Sequence, residues 1–272
     1  NTEAPPPFTV HPQVMPWLTF DRHQWFDPAQ RASDRANVYA WQLSGARLTG
    51  TWDYYEGLPY AIPRYAPHLL GESIQFLHRA GVDGFFAEGG GNLGFTAPKF
   101  WVAAQLLWRP EQSVDALLDD FFSGYYREAA TPMQAYFEAC ETIWLNQPRP
   151  GGWLKYYNSP NQLALFPPET CERLQRHLDA ASAAARSARV WERISRTDRL
   201  HRRLTALSQL YAAWSAVAGK ALPAAVELTE LRDEAARVVA QSEDTLPTNW
   251  PLYLWLMEPA FGVRKTPLQN AR

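Results

Sequence analysis

Three carboxylates in the first third of the chain have the residue neighbours that sugar chemistry requires. Asp53 and Glu56 lie in Thr51-Trp52-Asp53-Tyr54-Tyr55-Glu56-Gly57, and Glu88 lies in Gly84-Phe85-Phe86-Ala87-Glu88-Gly89-Gly90-Gly91-Asn92. Each stretch reads as a strand that ends in acidic and aromatic residues. Hydrolysis of a glycosidic bond needs two carboxyl groups facing one reaction centre, one to protonate the leaving oxygen and one to attack or to activate water. Aromatic rings beside them offer flat apolar platforms with polar edges. Glu88 and Asp53 are therefore the candidate catalytic pair. Trp25, Trp52, Tyr54, Tyr55, Glu56, Arg64 and Asn92 are the candidate substrate-binding residues. The planar fork of Arg64 suits a carboxylate, as on a uronic acid, or a pair of hydroxyls. Side chains alternate along a strand, so Tyr54 and Tyr55 cannot both face the site if the strand runs through them. The competing expectation is structural: the same carboxylates bond loop amides or pair with Arg64.

These residues need strands to carry them, and the pattern supplies three. Residues 14–20, 48–54 and 82–87 are short apolar runs. A helix capped at Ser33-Asp34 separates the first two, and one over residues 65–80, stopped by Gly81, separates the last two. This β–α–β–α–β order implies parallel strands whose C-terminal edge binds ligands. Asp21, Arg22 and His23 follow the first strand on the same rim. From residue 97 the character becomes helical. Expected helices cover 99–108 behind Pro98, 114–126 capped by Ser113, and 133–145 begun by Thr131-Pro132. After a Pro/Gly-rich linker at 147–152, further helices cover 169–185, 191–218 and 224–241. The expected organisation is a partial β/α barrel over residues 1–96 and a helical domain over 97–272. A closed eight-stranded barrel takes about 250 residues. The expectation is thus the C-terminal part of a barrel, whose open sheet edge is covered by an N-terminal segment or by another chain.

Composition bounds the remaining classes. The 272 residues are 46% hydrophobic and 20% charged, with a net charge of −2, which leaves no basic footprint for nucleic acid. No apolar run approaches the roughly 18 residues of a membrane span. Aromatics reach 14%, with 12 Trp and 12 Tyr, which fits a binding cleft as well as a large core. Gly89, Gly91 and Gly94 match a dinucleotide-binding turn formally. No second strand follows to carry the ribose-binding acid, so the glycines are read as a bend beside Glu88. Metal-site spacings are absent, and neither a metal nor another cofactor is expected. Cys140 and Cys171 fall in different expected helices and read as buried thiols. The Arg-rich run from 186 to 203 reads as a solvated helix face. A start without a basic, apolar leader fits a processed secreted or periplasmic protein, an expressed fragment or a proteolytic product.

Several of these segments resemble the bacterial DUF4838 family. The resemblance runs through Trp52-Asp53-Tyr54-Tyr55, Ile62-Pro63-Arg64, Gly81-Val82-Asp83-Gly84-Phe85, Leu106-Leu107-Trp108-Arg109-Pro110, Tyr125-Tyr126 and Ala129-Ala130-Thr131-Pro132-Met133. It covers about residues 14–147, and the later helices match only in general character. The resemblance implies a glycoside-hydrolase-like barrel related at a distance to hexosaminidases and α-glucuronidases, found with polysaccharide-degrading systems. It implies that the strands here are the last of that barrel. In related barrels the acid/base carboxylates sit on an earlier strand. The expected activity is hydrolysis of a glycosidic bond in an oligo- or polysaccharide, with a non-catalytic carbohydrate-binding or scaffolding protein as the alternative.

Overall fold

The computed structural model describes residues 4–55, 60–89, 93–157 and 159–217, with Asp233 and Arg237. Its strands are β1 (Trp17–Phe20), β2 (Gly50–Tyr54) and β3 (Gly84–Glu88), paired parallel in the order β1-β2-β3. Helices α1 (Pro28–Gln42) and α2 (Pro67–Arg79) make the two crossovers. Five more helices follow: α3 (Leu93–Trp108), α4 (Val114–Tyr126), α5 (Ala130–Leu145), α6 (Pro168–Ala184) and α7 (Ala188–Val217). The protein is mixed α/β and mostly helical. The three strands form an open parallel sheet in the described residues. No helix among the described residues is long and apolar enough to cross a membrane. The expected helix at 224–241 lies outside the described residues.

Local chemistry moves several boundaries. Helix α1 starts at Pro28, not after Ser33-Asp34. Asp27 is its N-cap, its side chain accepting from Ala29 N–H at 2.9 Å, and Pro28 takes the first-turn position where its missing donor costs nothing. Asp34 instead lies inside the helix, where it accepts from the Trp25 indole at 2.7 Å and from Gln30. Helix α3 begins at Leu93, which leaves Pro98 inside it. A proline there cannot donate to the carbonyl four residues back. That carbonyl belongs to Gly94, and the Thr197 hydroxyl of α7 donates to it at 2.8 Å. Ser113 caps α4 as expected, accepting from Ala116 N–H at 3.4 Å. Gly81 ends α2 with φ +76°, and Val82 N–H closes back onto the Leu77 carbonyl. A 3₁₀ turn at Pro160–Leu165, opened by Ser159, has no counterpart in the sequence reading.

The sheet has two unlike faces. Leu18, Phe20, Thr51 and Asp53 are buried on the face that carries the helices. Trp17, Trp52 and Phe86 alternate with them and are each more than a third exposed. Trp17 lies flat across the strands: a Cβ on Gly50 would meet its ring at 2.7 Å, and one on Gly84 would meet it at 3.1 Å. The buried core runs without a break from Val10 through the strands and α2 to Leu210 in α7. Cys140 and Cys171 are free thiols inside it, and burial pushes both thiol pKa values up.

Candidate functional site

The strand C-termini carry the chemistry, and the register decides which side chains meet. Asp53 is opposite Phe20 on one side and Ala87 on the other, while Tyr54 is opposite Glu88. Alternation sends Asp53 to the helix-packed face and Glu88 to the exposed one. The two carboxylates that the sequence suggested as a catalytic pair are therefore not brought together.

Asp53 is fully buried and fully partnered. Its Oδ2 pairs with Arg22 Nη1 at 3.0 Å, and Oδ1 accepts from the backbone N–H groups of Arg22 and Tyr54. Arg22 Nη2 donates to Thr51 Oγ1 at 2.7 Å, and the guanidinium lies over the rings of Phe20 and Trp25. This arrangement ties β1, β2 and the turn after β1 into one unit.

Glu88 occupies a different environment. The Trp52 indole N–H donates to its Oε1 at 3.1 Å, and the Trp52 ring leans on Phe86 with centroids 4.3 Å apart. Tyr54, in the next row, meets Trp153 edge-on at 5.1 Å. The Tyr54 hydroxyl is held above its ordinary pKa by burial first and by the Glu88 charge second. One carboxylate thus stands with Trp52, Phe86 and Tyr54 at the C-terminal end of β2 and β3, and Trp153 packs on Tyr54. Trp153, just past the 147–152 linker and not singled out in the sequence, reaches this end through Tyr54.

The remaining expected site residues separate. Tyr55 is buried, stacked against Phe100, and its hydroxyl has no partner among the described residues. Trp25 is buried under Arg35 and beside Phe76, so it offers no face to a ligand. Arg64 is buried too. It pairs with Asp21, donates to the Tyr54 carbonyl at 2.9 Å and lies over Tyr60 and Trp144. Glu56 and Asn92 lie outside the described residues.

A buried polar network beneath the rim was not foreseen. Lys99 of α3 donates to the carbonyls of Tyr55 and Arg64, each at 2.5 Å, and its Nζ stands 3.5 Å from His23 Nε2. Burial, with the Arg64 and Lys99 charges, holds His23 well below its ordinary pKa and hence neutral. Burial raises the Asp21 carboxyl, against the opposing pull of Arg64. Gln24 and the Leu154 N–H also donate to Asp21. These groups fix the loop carbonyls that follow β2. Residue types alone gave little sign of them, because Lys99 and Asp21 are 78 positions apart in the chain.

A groove of about 880 Å3 opens beside the edge of β1 that has no paired strand among the described residues, between that strand, α1 and Trp153. Neither Trp52 nor Glu88 lines it.

A model of the family described as a domain of unknown function, DUF4838, matches residues 1–138. The chain belongs to the DUF4838 family. The matched part of this DUF4838 chain holds all three strands, the Arg22–Asp53 and Arg64–Asp21 pairs, Lys99 and Glu88. Trp153 lies beyond it. No curated protein and no solved structure gives a match to the chain.

Proposed function

We propose that the protein is carbohydrate-active and hydrolyses a glycosidic bond at the open ends of β2 and β3. The supporting observation is Glu88, held by the Trp52 indole on an exposed face with Phe86 and Tyr54, and with Trp153 packed against Tyr54. Rings of this kind stack on the apolar face of a pyranose, and a carboxyl beside them is placed to exchange a proton with a glycosidic oxygen. Glu88 is the acid/base in this reading, Trp52 orients it, and Tyr54 and Trp153 bind sugar. Asp53 is a positioning residue that acts through Arg22. The second carboxyl that hydrolysis requires comes from Glu56 or from a further strand.

One observation favours a second reading, a non-catalytic carbohydrate-binding protein. Asp53 is locked with Arg22 on the opposite face, and Glu88 then stands with no second carboxylate paired to it among the described residues.

Assay of the wild type, Glu88→Gln and Trp52→Ala against aryl glycosides and oligosaccharides, neutral and uronic, separates the two. Hydrolysis predicts at least a ~100-fold loss of kcat for Glu88→Gln and a raised KM for Trp52→Ala. Saturable sugar binding without turnover, weakened by Trp52→Ala and not by Glu88→Gln, selects the binding protein. Neither turnover nor binding removes both.

A further inference from the structure

The loop after α5 keeps aromatic side chains in the open at a conformational cost. Trp153 is 45% exposed and Tyr157 43%, yet the backbone around them is closely tied. Gly151 N–H donates to Asp27 Oδ2 at 2.7 Å, Leu154 N–H to Asp21 Oδ2 at 3.2 Å, and the Tyr60 hydroxyl to the Lys155 carbonyl at 2.9 Å. Lys155 Nζ closes the base of the loop on the Pro148 and Pro150 carbonyls. Leu154 and Tyr156 have positive φ, +46° and +69°. Residues with a Cβ enter that region at an energetic cost, and such residues gather where a site demands a particular backbone.

Two of these restraints lead to one carboxylate. Asp21 pairs with Arg64 through Oδ1, and Arg64 donates in turn to the Tyr54 carbonyl at 2.9 Å. Through Oδ2 the same carboxylate accepts from Leu154 N–H, next to Trp153. Asp21 thus holds Tyr54 from one side and Trp153 from the other, and the two rings meet edge-on at 5.1 Å. Tyr157 is close as well: after burial and the Glu88 charge, it is the next group to raise the Tyr54 hydroxyl pKa. Residues 148–157 all lie beyond the part of the chain that the family model matches. Core packing would bury a tryptophan. Here buried polar ties keep one exposed at a set distance from Tyr54, which is the arrangement of a preorganised binding wall.

Resting on the reading that Tyr54 binds sugar, we propose that residues 148–157 form a preformed aromatic arm, the second wall of the saccharide site, and that Asp21 is its positioning residue. Trp153 stacks on the sugar that Tyr54 contacts. Asp21 touches no ligand: it is 4% exposed and sets the place of Trp153 through Leu154. An arm fixed before binding spares the ordering cost of a loop that closes on its ligand. Its contribution is to affinity and not to the chemistry at Glu88.

Asp21→Asn tests the arm, because a carboxamide has one acceptor oxygen and cannot serve Arg64 and Leu154 together. The probes are cellotetraose, xylotetraose, chitotetraose and tetragalacturonate, and the readings are KM and kcat, or Kd where there is no turnover. Asp21→Asn is expected to raise KM or Kd at least ~10-fold with kcat within ~2-fold, the signature of lost uniform binding. The Leu154 amide should exchange at least ~10-fold faster while the β2 ladder amides keep their protection. The rise in KM or Kd should be smaller in a Trp153→Ala background than in the wild type, and an equal rise there overturns the assignment to the arm. Tyr60→Phe removes the tie to Lys155 and leaves the Asp21–Arg64 pair whole. It should raise KM or Kd ~3-fold, and it decides the matter if Asp21→Asn does not fold. Unchanged KM or Kd in the deciding variant overturns the arm. So does a fall in kcat alone, which a merely structural Asp21 would give by lowering the folded fraction. If the wild type binds a probe and the variants bind it equally well, the arm falls and the proposed function stands. A wild type that neither binds nor cleaves any of these sugars overturns both.

Discussion

At the scale of single residues, the carboxylates at the strand ends divide into one that builds and one that is available. Asp53 and Arg22 are both buried, so neither charge is solvated and each depends on the other. Removing one partner of such a pair leaves an uncompensated buried charge and costs about 3–5 kcal/mol. Asp53→Asn keeps the Oδ1 acceptor for the amides of Arg22 and Tyr54 but discards the charge. Urea unfolding should show a loss of about 3 kcal/mol for this variant. Adding Arg22→Met should recover part of it, because no isolated guanidinium then remains in the core. A single variant within about 1 kcal/mol of wild type would contradict the buried-pair account. Glu88→Gln, on the open face, should leave the unfolding midpoint where it is. That contrast lets any activity lost in Glu88→Gln be read as chemistry.

At the scale of elements, His68 in the first turn of α2 joins three helices. Its Nδ1 lies 2.7 Å from Glu141 of α5, and its Nε2 lies 3.0 Å from Asp115 of α4. The Glu141 hydrogen bond, reinforced by Asp115 and opposed by burial, raises its pKa to about 9. A histidine whose pKa is higher folded than unfolded stabilises most where it is protonated in both states. That contribution is complete below the unfolded value of about 6.5 and disappears as pH rises through about 9. The side chain is 45% exposed, so solvent screening limits the effect to about 1 kcal/mol. Stability should fall from pH 6.5 to pH 9, and His68→Gln should flatten that slope. An unchanged slope in the variant would show that the histidine does not couple the helices.

Much of this level was legible in the sequence. Apolar runs with Gly81 and Ser113 as punctuation gave the strands, α2 and α4 nearly as they stand. What escaped depended on distant partners. The Gly94 carbonyl left without a donor by Pro98 is served by Thr197, 103 residues away, so no local pattern could extend α3 back to Leu93. The orientation of Asp53 escaped for the same reason. An acid is admitted to a helix-packed strand face only because Arg22 meets it there, 31 positions earlier. Alternation did separate Tyr54 from Tyr55, and the buried member is Tyr55. The sequence reading places the start of α1 at Ser33-Asp34 and passes over Asp27-Pro28, an N-cap acid followed by a first-turn proline.

At the scale of the molecule, strands and helices share one core. Sequence character changes near residue 97, yet the packing does not divide there. Phe95, Val102 and Leu106 of α3 belong to the same continuous cluster as Leu70 and Leu77 of α2 and Leu200, Leu204 and Leu207 of α7. Lys99 reaches from α3 into the loop after β2, and the Trp144 indole of α5 donates to the His23 carbonyl at 2.8 Å. Separating the two parts would open apolar surface on both and strand these buried donors. Residues on either side of position 97 are therefore expected to unfold together. Far-UV circular dichroism, dominated by α3 to α7, and amide hydrogen exchange of the β2 and β3 ladder should report one coincident urea transition. A helical signal that persists after the ladder amides have lost protection would show two cooperative units. The Glu88 rim would then be mounted on a part able to melt on its own. With a single transition, a substitution in the helical half that destabilises the chain also lowers the population of folded site, so activity must be compared at equal folded fraction.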